Sequence, residues 1–129
     1  MNNVNQQFSF EKLQVWQLAK ELTKEIYNIT KSFPVDERYG LIPQIRRAAT
    51  SVCANITEGS TRTTPKDQAH FTTVAYGSLI ELLNHLIIAH ELEYIESNVF
   101  QKLRADIKNL AIKLSNNKKS QLLKKDKKE

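Results

Sequence analysis

Apolar residues recur along this chain at steps of three and four in four separate stretches, the spacing of one face of an α-helix. In the first stretch Val15, Leu18, Leu22, Ile26 and Ile29 form the seam, and Leu13, Trp16 and Ala19 widen it. A helix is expected from Phe10 to Lys31, with Ser9 as N-cap and the Glu11 carboxylate in the first turn. Phe33-Pro34 ends it, because proline disfavours the helical basin for the residue before it. The following VDERYG reads as a helical turn broken at Gly40. A second helix begins around Leu41 to Pro43, where a first-turn proline is tolerated. Its seam is Ile42, Ile45, Ala49, Val52 and Ile56, and Gly59 is expected to close it as a left-handed C-cap.

Thr64-Pro65 with Asp67 marks the start of a third helix, expected to reach Tyr94 along Phe71, Ala75, Ser78, Leu82, Leu86 and Ala89. Gly77 in its middle costs about 1 kcal/mol of helix propensity relative to alanine, so a neighbouring backbone is expected to pass close to it. The fourth helix follows Glu96-Ser97-Asn98 with the seam Phe100, Leu103, Ile107, Leu110 and Leu114. Beyond Ser115 the pattern lapses. The expectation is an all-α, antiparallel up-down-up-down four-helix bundle over residues 9–115, after a flexible start at 1–8. The lysine-rich stretch 116–129 is expected to be disordered or frayed helix. Scarce glycine (3) and proline (3) argue against a sheet with its many turns.

The polar residues of the second helix follow their own spacing. Gln44, Arg47, Ser51, Asn55 and Glu58 also step by three and four, and Ile45 to Gly59 contains no lysine. Short hydroxyls and amides with one arginine and one carboxylate suit a polar edge that meets protein, which implies self-assembly. Glu81, set among Leu79, Ile80, Leu82 and Leu83, is expected to be partly desolvated and paired with Arg46 or Arg47.

Charge changes the picture at one place. The net charge is +5, but Lys118 to Glu129 holds six lysines against two acids, so the rest of the chain carries only +1. Three readings of the lysine stretch stand side by side: a solvated tail, nucleic-acid contact through counterion release, and membrane contact through Leu122 and Leu123. The residues expected to touch nucleic acid are Arg46, Arg47, Arg62, Lys118, Lys119, Lys124, Lys125, Lys127 and Lys128. No aromatic is interleaved among those lysines, so the tail is not expected to stack on bases. No signal peptide and no membrane span are expected, and the cytoplasm is the expected location. The single cysteine, Cys53, reads as a small buried hydrophobe.

Reaction chemistry finds little to stand on. A carboxylate-bridged di-metal bundle needs Glu-x-x-His on two helices. The chain offers Glu81 and His85 at a step of four, with Glu58 and His70 elsewhere. Ser51, Ser78 and Cys53 lack a glycine elbow or a histidine one turn away, and no glycine-rich phosphate loop occurs. A non-enzyme without metal or cofactor is expected.

Four spaced elements carry a family resemblance: F-x-x-L-x-V-W from Phe10 to Trp16, F-P-x-x-E-x-Y-x-L from Phe33 to Leu41, Q-I-R-R-A-A-x-S-V-x-x-N-I-x-E-G from Gln44 to Gly59, and F-x-x-x-A-x-G-S-x-x-E from Phe71 to Glu81. Together they resemble the bacterial 23S rRNA intervening-sequence proteins, some labelled S23 ribosomal protein. The resemblance covers roughly Phe8 to Leu114 and implies a four-helix bundle assembled as a homopentamer. The bundle is also similar to the accessory variability protein of diversity-generating retroelements, a basic pentamer that binds RNA and a reverse transcriptase. By that likeness RNA or DNA is the leading expected partner besides the chain itself. A scaffold for a partner protein, with no nucleic-acid role, is the alternative. Arg46, Arg47, Ser51, Asn55, Glu58, Gly77, Ser78 and Glu81 match the signature positions, which read as mainly structural.

Overall fold

The computed structural model describes residues 6–124. Among them stand four helices: α1 Gln14–Thr30, α2 Leu41–Ser60, α3 Pro65–Glu91 and α4 Ser97–Leu123, with 3-10 turns at Ser9–Lys12 and Val35–Glu37. Each helix packs antiparallel against its chain neighbours, and α1 closes the bundle on α4. Ile26, Ile45, Leu79, Leu82, Leu86 and Leu103 are fully buried along the axis. Burying each such side chain contributes about 1.5–3 kcal/mol. The apolar seams therefore meet as their spacing predicts.

The ends of the helices differ from expectation, each for a local reason. Glu11 turns back to accept the Phe8 N–H at 2.9 Å, which closes a separate 3-10 turn. Leu13 is extended there, so α1 starts at Gln14 and Ser9 is not its N-cap. Of the expected flexible start, residues 1–5 lie outside the described residues, while Phe8 begins this turn. At the other end of α3, the chain leaves the helix at Leu92, and Glu93 adopts φ 66°. The Tyr94 N–H donates to the Ala89 carbonyl and the Glu93 N–H to the His90 carbonyl, both at 2.9 Å. That is a Schellman close with glutamate where glycine usually stands.

Two glycines exchange their expected roles. Gly59 is helical and buried, without the left-handed conformation of a C-cap, and α2 runs on to Ser60. A Cβ on Gly59 would lie 3.0 Å from Phe71 Cβ, so Gly59 is where α3 approaches α2 closely. Gly77 has nothing within 4 Å of its would-be Cβ and faces outward from α3. The close approach expected at Gly77 is absent among the described residues.

The lysine-rich stretch also departs from expectation. Helix α4 continues through Leu123 rather than lapsing at Ser115. Thr72 Oγ1 on α3 donates to Gln121 Oε1 at 2.8 Å, which docks this last part of α4 on the bundle. Lys118, Lys119 and Lys124 are thus part of, or cap, an ordered helix; Lys125, Lys127 and Lys128 lie outside the described residues. Helix α3 is long and apolar enough by length and composition to cross a membrane, which the sequence reading did not expect. Its inner side builds the bundle core, whereas Val74, Tyr76, Ile80 and Ile88 stay exposed on its outer side.

Candidate nucleic-acid interface

A cleft of about 860 Å³ opens where the end of α1, the Val35–Glu37 turn and the start of α2 converge. Its cations come from three elements: Lys31 just after α1, Arg38 just after the turn, and Arg46 and Arg47 on α2. None of the described residues lining it is acidic. Two carboxylates, Asp36 and Glu37, belong to the intervening turn. Glu37 is turned away. Its Oε1 accepts the Leu41 N–H at 3.0 Å and its Oε2 accepts the Tyr94 hydroxyl at 2.9 Å.

Gly40 makes that arrangement possible. A Cβ there would sit 2.5 Å from Glu37 Oε1, in the space the carboxylate needs to reach the first amide of α2. The carboxylate also faces the positive end of the α2 dipole. The result fixes the turn that carries Arg38. Hydrogen bonding to the Glu37 carboxylate, then burial and the charge of Glu37, holds the Tyr94 hydroxyl above its ordinary pKa.

Arg46 is the ordered member of the cation set. Its Nε donates to Thr30 Oγ1 at 2.9 Å, its NH2 to the Tyr27 carbonyl at 3.3 Å, and its guanidinium lies 4.6 Å from the centre of the Tyr27 ring. Thr30, buried within α1, in turn donates to the Ile26 carbonyl at 2.8 Å. Lys31, Arg38 and Arg47 are exposed, and Arg38 lies 5.2 Å from the centre of the Tyr39 ring. Four positive groups with no acidic residue among the described lining favour anions, and the Tyr27 ring, with Tyr39 beside the cleft, adds a surface for flat groups.

The expected nucleic-acid residues therefore fall at two ends of the bundle. Arg46 and Arg47 sit at the cleft. Arg62, 16 residues from Arg46, lies about 24 Å further along the α2 direction, at the end where Lys118, Lys119 and Lys124 leave α4. Arg62 is committed within the fold: it pairs with Glu58 at 2.6 Å and lies 4.8 Å from the centre of the Phe71 ring. From Ile107 to Lys124 α4 and its cap carry five lysines and no acid, so this end is basic as well. The sequence reading passed over Lys31, Arg38, Tyr27 and Tyr39. The Arg38-Tyr39 pair in a short connection, flanked by the arginines that open the next helix, was the available signal.

The polar edge of α2 resolves into local pairs. Ser51 meets Ser78 on α3 at 2.9 Å, and Asn55 Nδ2 donates to the Ser51 carbonyl at 2.8 Å. Arg47 donates to Gln44, one turn away on the same helix. Glu58 takes Arg62, and Glu81 takes His85 at 3.3 Å. The expected pairing of Glu81 with Arg46 or Arg47 does not form, because Glu81 points outward from α3 and keeps 44% of its side chain exposed. Among the described residues, the Ser51–Ser78 contact alone joins two helices along this edge. A pair the sequence did not reveal, Thr23 with the Ala49 carbonyl at 3.3 Å and Cys53 Sγ at 3.4 Å, ties α1 to α2. Burial pushes the Cys53 thiol above its ordinary pKa, against the opposing effect of Thr23.

Among the described residues no three His, Cys, Asp or Glu side chains converge as a metal site would require. His70 stacks edge-on against Phe71, and His90 stacks on Phe100 with its Nε2 3.2 Å from Ser97 Oγ.

Comparison with known proteins gives two findings. A family model described as 23S rRNA-intervening sequence protein matches residues 11–116. The fold is similar to a crystal structure of a protein from Bacteroides thetaiotaomicron VPI-5482, described as of unknown function and from the S23 ribosomal protein family. The two share 23% identity over 81% of this chain and 95% of that one, with a TM-score of 0.75. No curated protein matches the chain.

Proposed function

The chain belongs to the 23S rRNA-intervening sequence protein family, and from that premise we propose that it is a non-enzymatic, self-associating bundle that binds RNA through charge. The observation carrying this reading is the cleft where Lys31, Arg38, Arg46 and Arg47 converge with no acidic residue among the described lining. Phosphates neutralised there release counterions, so affinity falls steeply with salt. The reading moves the main contact from the lysine-rich end of the chain, where the sequence placed most of it, to the opposite end of the bundle. Self-association rests on the outer side of α3, which leaves Val74, Tyr76, Ile80 and Ile88 exposed beside the open Gly77.

The test is a salt titration of binding to a fluorescently labelled 20-nucleotide RNA. Reversing three exposed cations together, Lys31→Glu, Arg38→Glu and Arg47→Glu, should weaken binding at least tenfold and flatten the dependence of log affinity on log salt. With about three fewer phosphate contacts, the slope should fall by about two on single-stranded RNA. A chain ending at Leu123 should keep most of its affinity. Full affinity in the triple variant together with loss in the shortened chain would place the contacts at the other end and reject the cleft.

A further inference from the structure

We infer that the cleft takes a single-stranded stretch of nucleic acid, with bases stacked on Tyr27 within it and on Tyr39 beside it while the arginines hold the phosphates. The inference rests on the proposed RNA-binding reading and specifies the form of nucleic acid bound.

The observation is a tyrosine paired with an arginine twice, Tyr27 with Arg46 in the cleft and Tyr39 with Arg38 just outside its lining. Tyr39 is 87% exposed, and its ring meets the Arg38 guanidinium at 5.2 Å. Tyr27 is 40% exposed and carries the Arg46 guanidinium at 4.6 Å. An aromatic ring left almost wholly in water contributes little to the core, so the Tyr39 ring is free to meet a ligand. Phosphate attraction needs only the cations. Exposed rings become useful when unpaired bases offer their faces, and stacking of this kind tolerates any base. A duplex hides those faces and presents its phosphate rails and groove edges.

The size of the cleft points the same way. With about 860 Å³ of space open to solvent, the cleft has room for a short run of strand to lie across it. The arginines are also suited to both parts of a strand. A guanidinium forks onto phosphate oxygens and lies flat against a base or a ring, which a lysine ammonium does not. Arg46 is already oriented by Thr30 and the Tyr27 carbonyl, so less freedom is lost when a ligand arrives.

The experiment compares a labelled ten-nucleotide single-stranded RNA with a ten-base-pair RNA duplex by fluorescence anisotropy at one salt concentration. The wild-type chain should bind the single strand about tenfold more tightly than the duplex. Tyr39→Leu should lower single-strand affinity about tenfold, leave duplex affinity unchanged and leave the salt slope unchanged. Tyr39→Phe should restore stacking and affinity. Tyr39 is exposed enough that neither change endangers the fold. Equal affinity for strand and duplex, with Tyr39→Leu silent, would overturn the inference and leave the charge-based reading standing. Loss of neither form in the Lys31→Glu, Arg38→Glu, Arg47→Glu variant would remove the reading beneath it.

Discussion

The Tyr94 hydroxyl donates to the Glu37 carboxylate across 57 positions of sequence, at 2.9 Å. This bond clips the turn before α2 onto the connection between α3 and α4, and the second oxygen of the same carboxylate caps α2 at Leu41. The turn that presents Arg38 to the cleft is thereby held from two sides. Phe33 adds an apolar contact, its ring 5.4 Å from that of Tyr94.

Stability should depend on this pair at alkaline pH. Deprotonated Tyr94 would set one negative charge against another, so its folded-state pKa lies above the ordinary value near 10. A raised folded value means the stabilising interaction is fully present below about pH 10 and is lost as pH rises through the folded pKa. Wild-type urea midpoints should therefore drop more steeply above pH 10 than those of Tyr94→Phe. Glu37→Gln removes the charge and keeps an acceptor oxygen for only one of the two bonds, its amide nitrogen being a donor, and it should flatten the decline too. The readout is the difference between the curves. Parallel curves for all three proteins would show that the pair does not couple to folding.

Glu93 should be improvable. Its φ of 66° lies where a side chain costs about 1–2 kcal/mol and glycine costs nothing. Glycine raises the entropy of the unfolded chain, which offsets part of the gain. Glu93→Gly should raise unfolding free energy by about 0.5–1 kcal/mol, read by urea denaturation with an unchanged m-value. A loss instead would mean that the Glu93 side chain contributes something the Schellman close alone does not require.

The two mid-helix glycines separate what sequence discloses from what it conceals. Helix number, order and buried faces were legible because apolar spacing is a local property, and the core assembled from it is the one expected. The contact made by Gly59 or Gly77 depends on how two helices rotate against each other, which no local spacing reports. The same limit applies to the candidate site. Arg46 and Arg47 could be singled out as charges, but their meeting with Lys31 and Arg38 depends on a turn fixed by the distant Tyr94. The Glu81 pairing failed for the same reason, since its facing is set by the rotation of α3. Gly59→Ala should cost about 1–2 kcal/mol, because Phe71 Cβ has little room to give. Gly77→Ala should gain up to about 1 kcal/mol in the isolated chain, where only helix propensity acts. A stabilised Gly59→Ala would defeat the close-approach account.

Self-association yields the prediction with the widest reach. The sequence placed the contact on the lysine-free edge of α2, whereas the fold leaves its apolar excess on the outer side of α3. Val74, Tyr76, Ile80 and Ile88 are each 37–42% exposed there, and Gly77 leaves room for another backbone among them. Desolvating that face against a second copy would recover burial that the single chain forgoes. Light scattering should give a multiple of the 14.9 kDa chain mass, about 75 kDa for the pentamer that the family resemblance implies. Ile80→Asp should reduce the mass to that of one chain while the helical circular dichroism is kept, because Ile80 faces away from the core. Ala54→Glu, on the exposed edge of α2, should leave the assembly intact. The reverse pattern would return the contact to α2, and a wild-type chain that stays at 14.9 kDa at high micromolar concentration would leave the α3 face without a second copy to cover it.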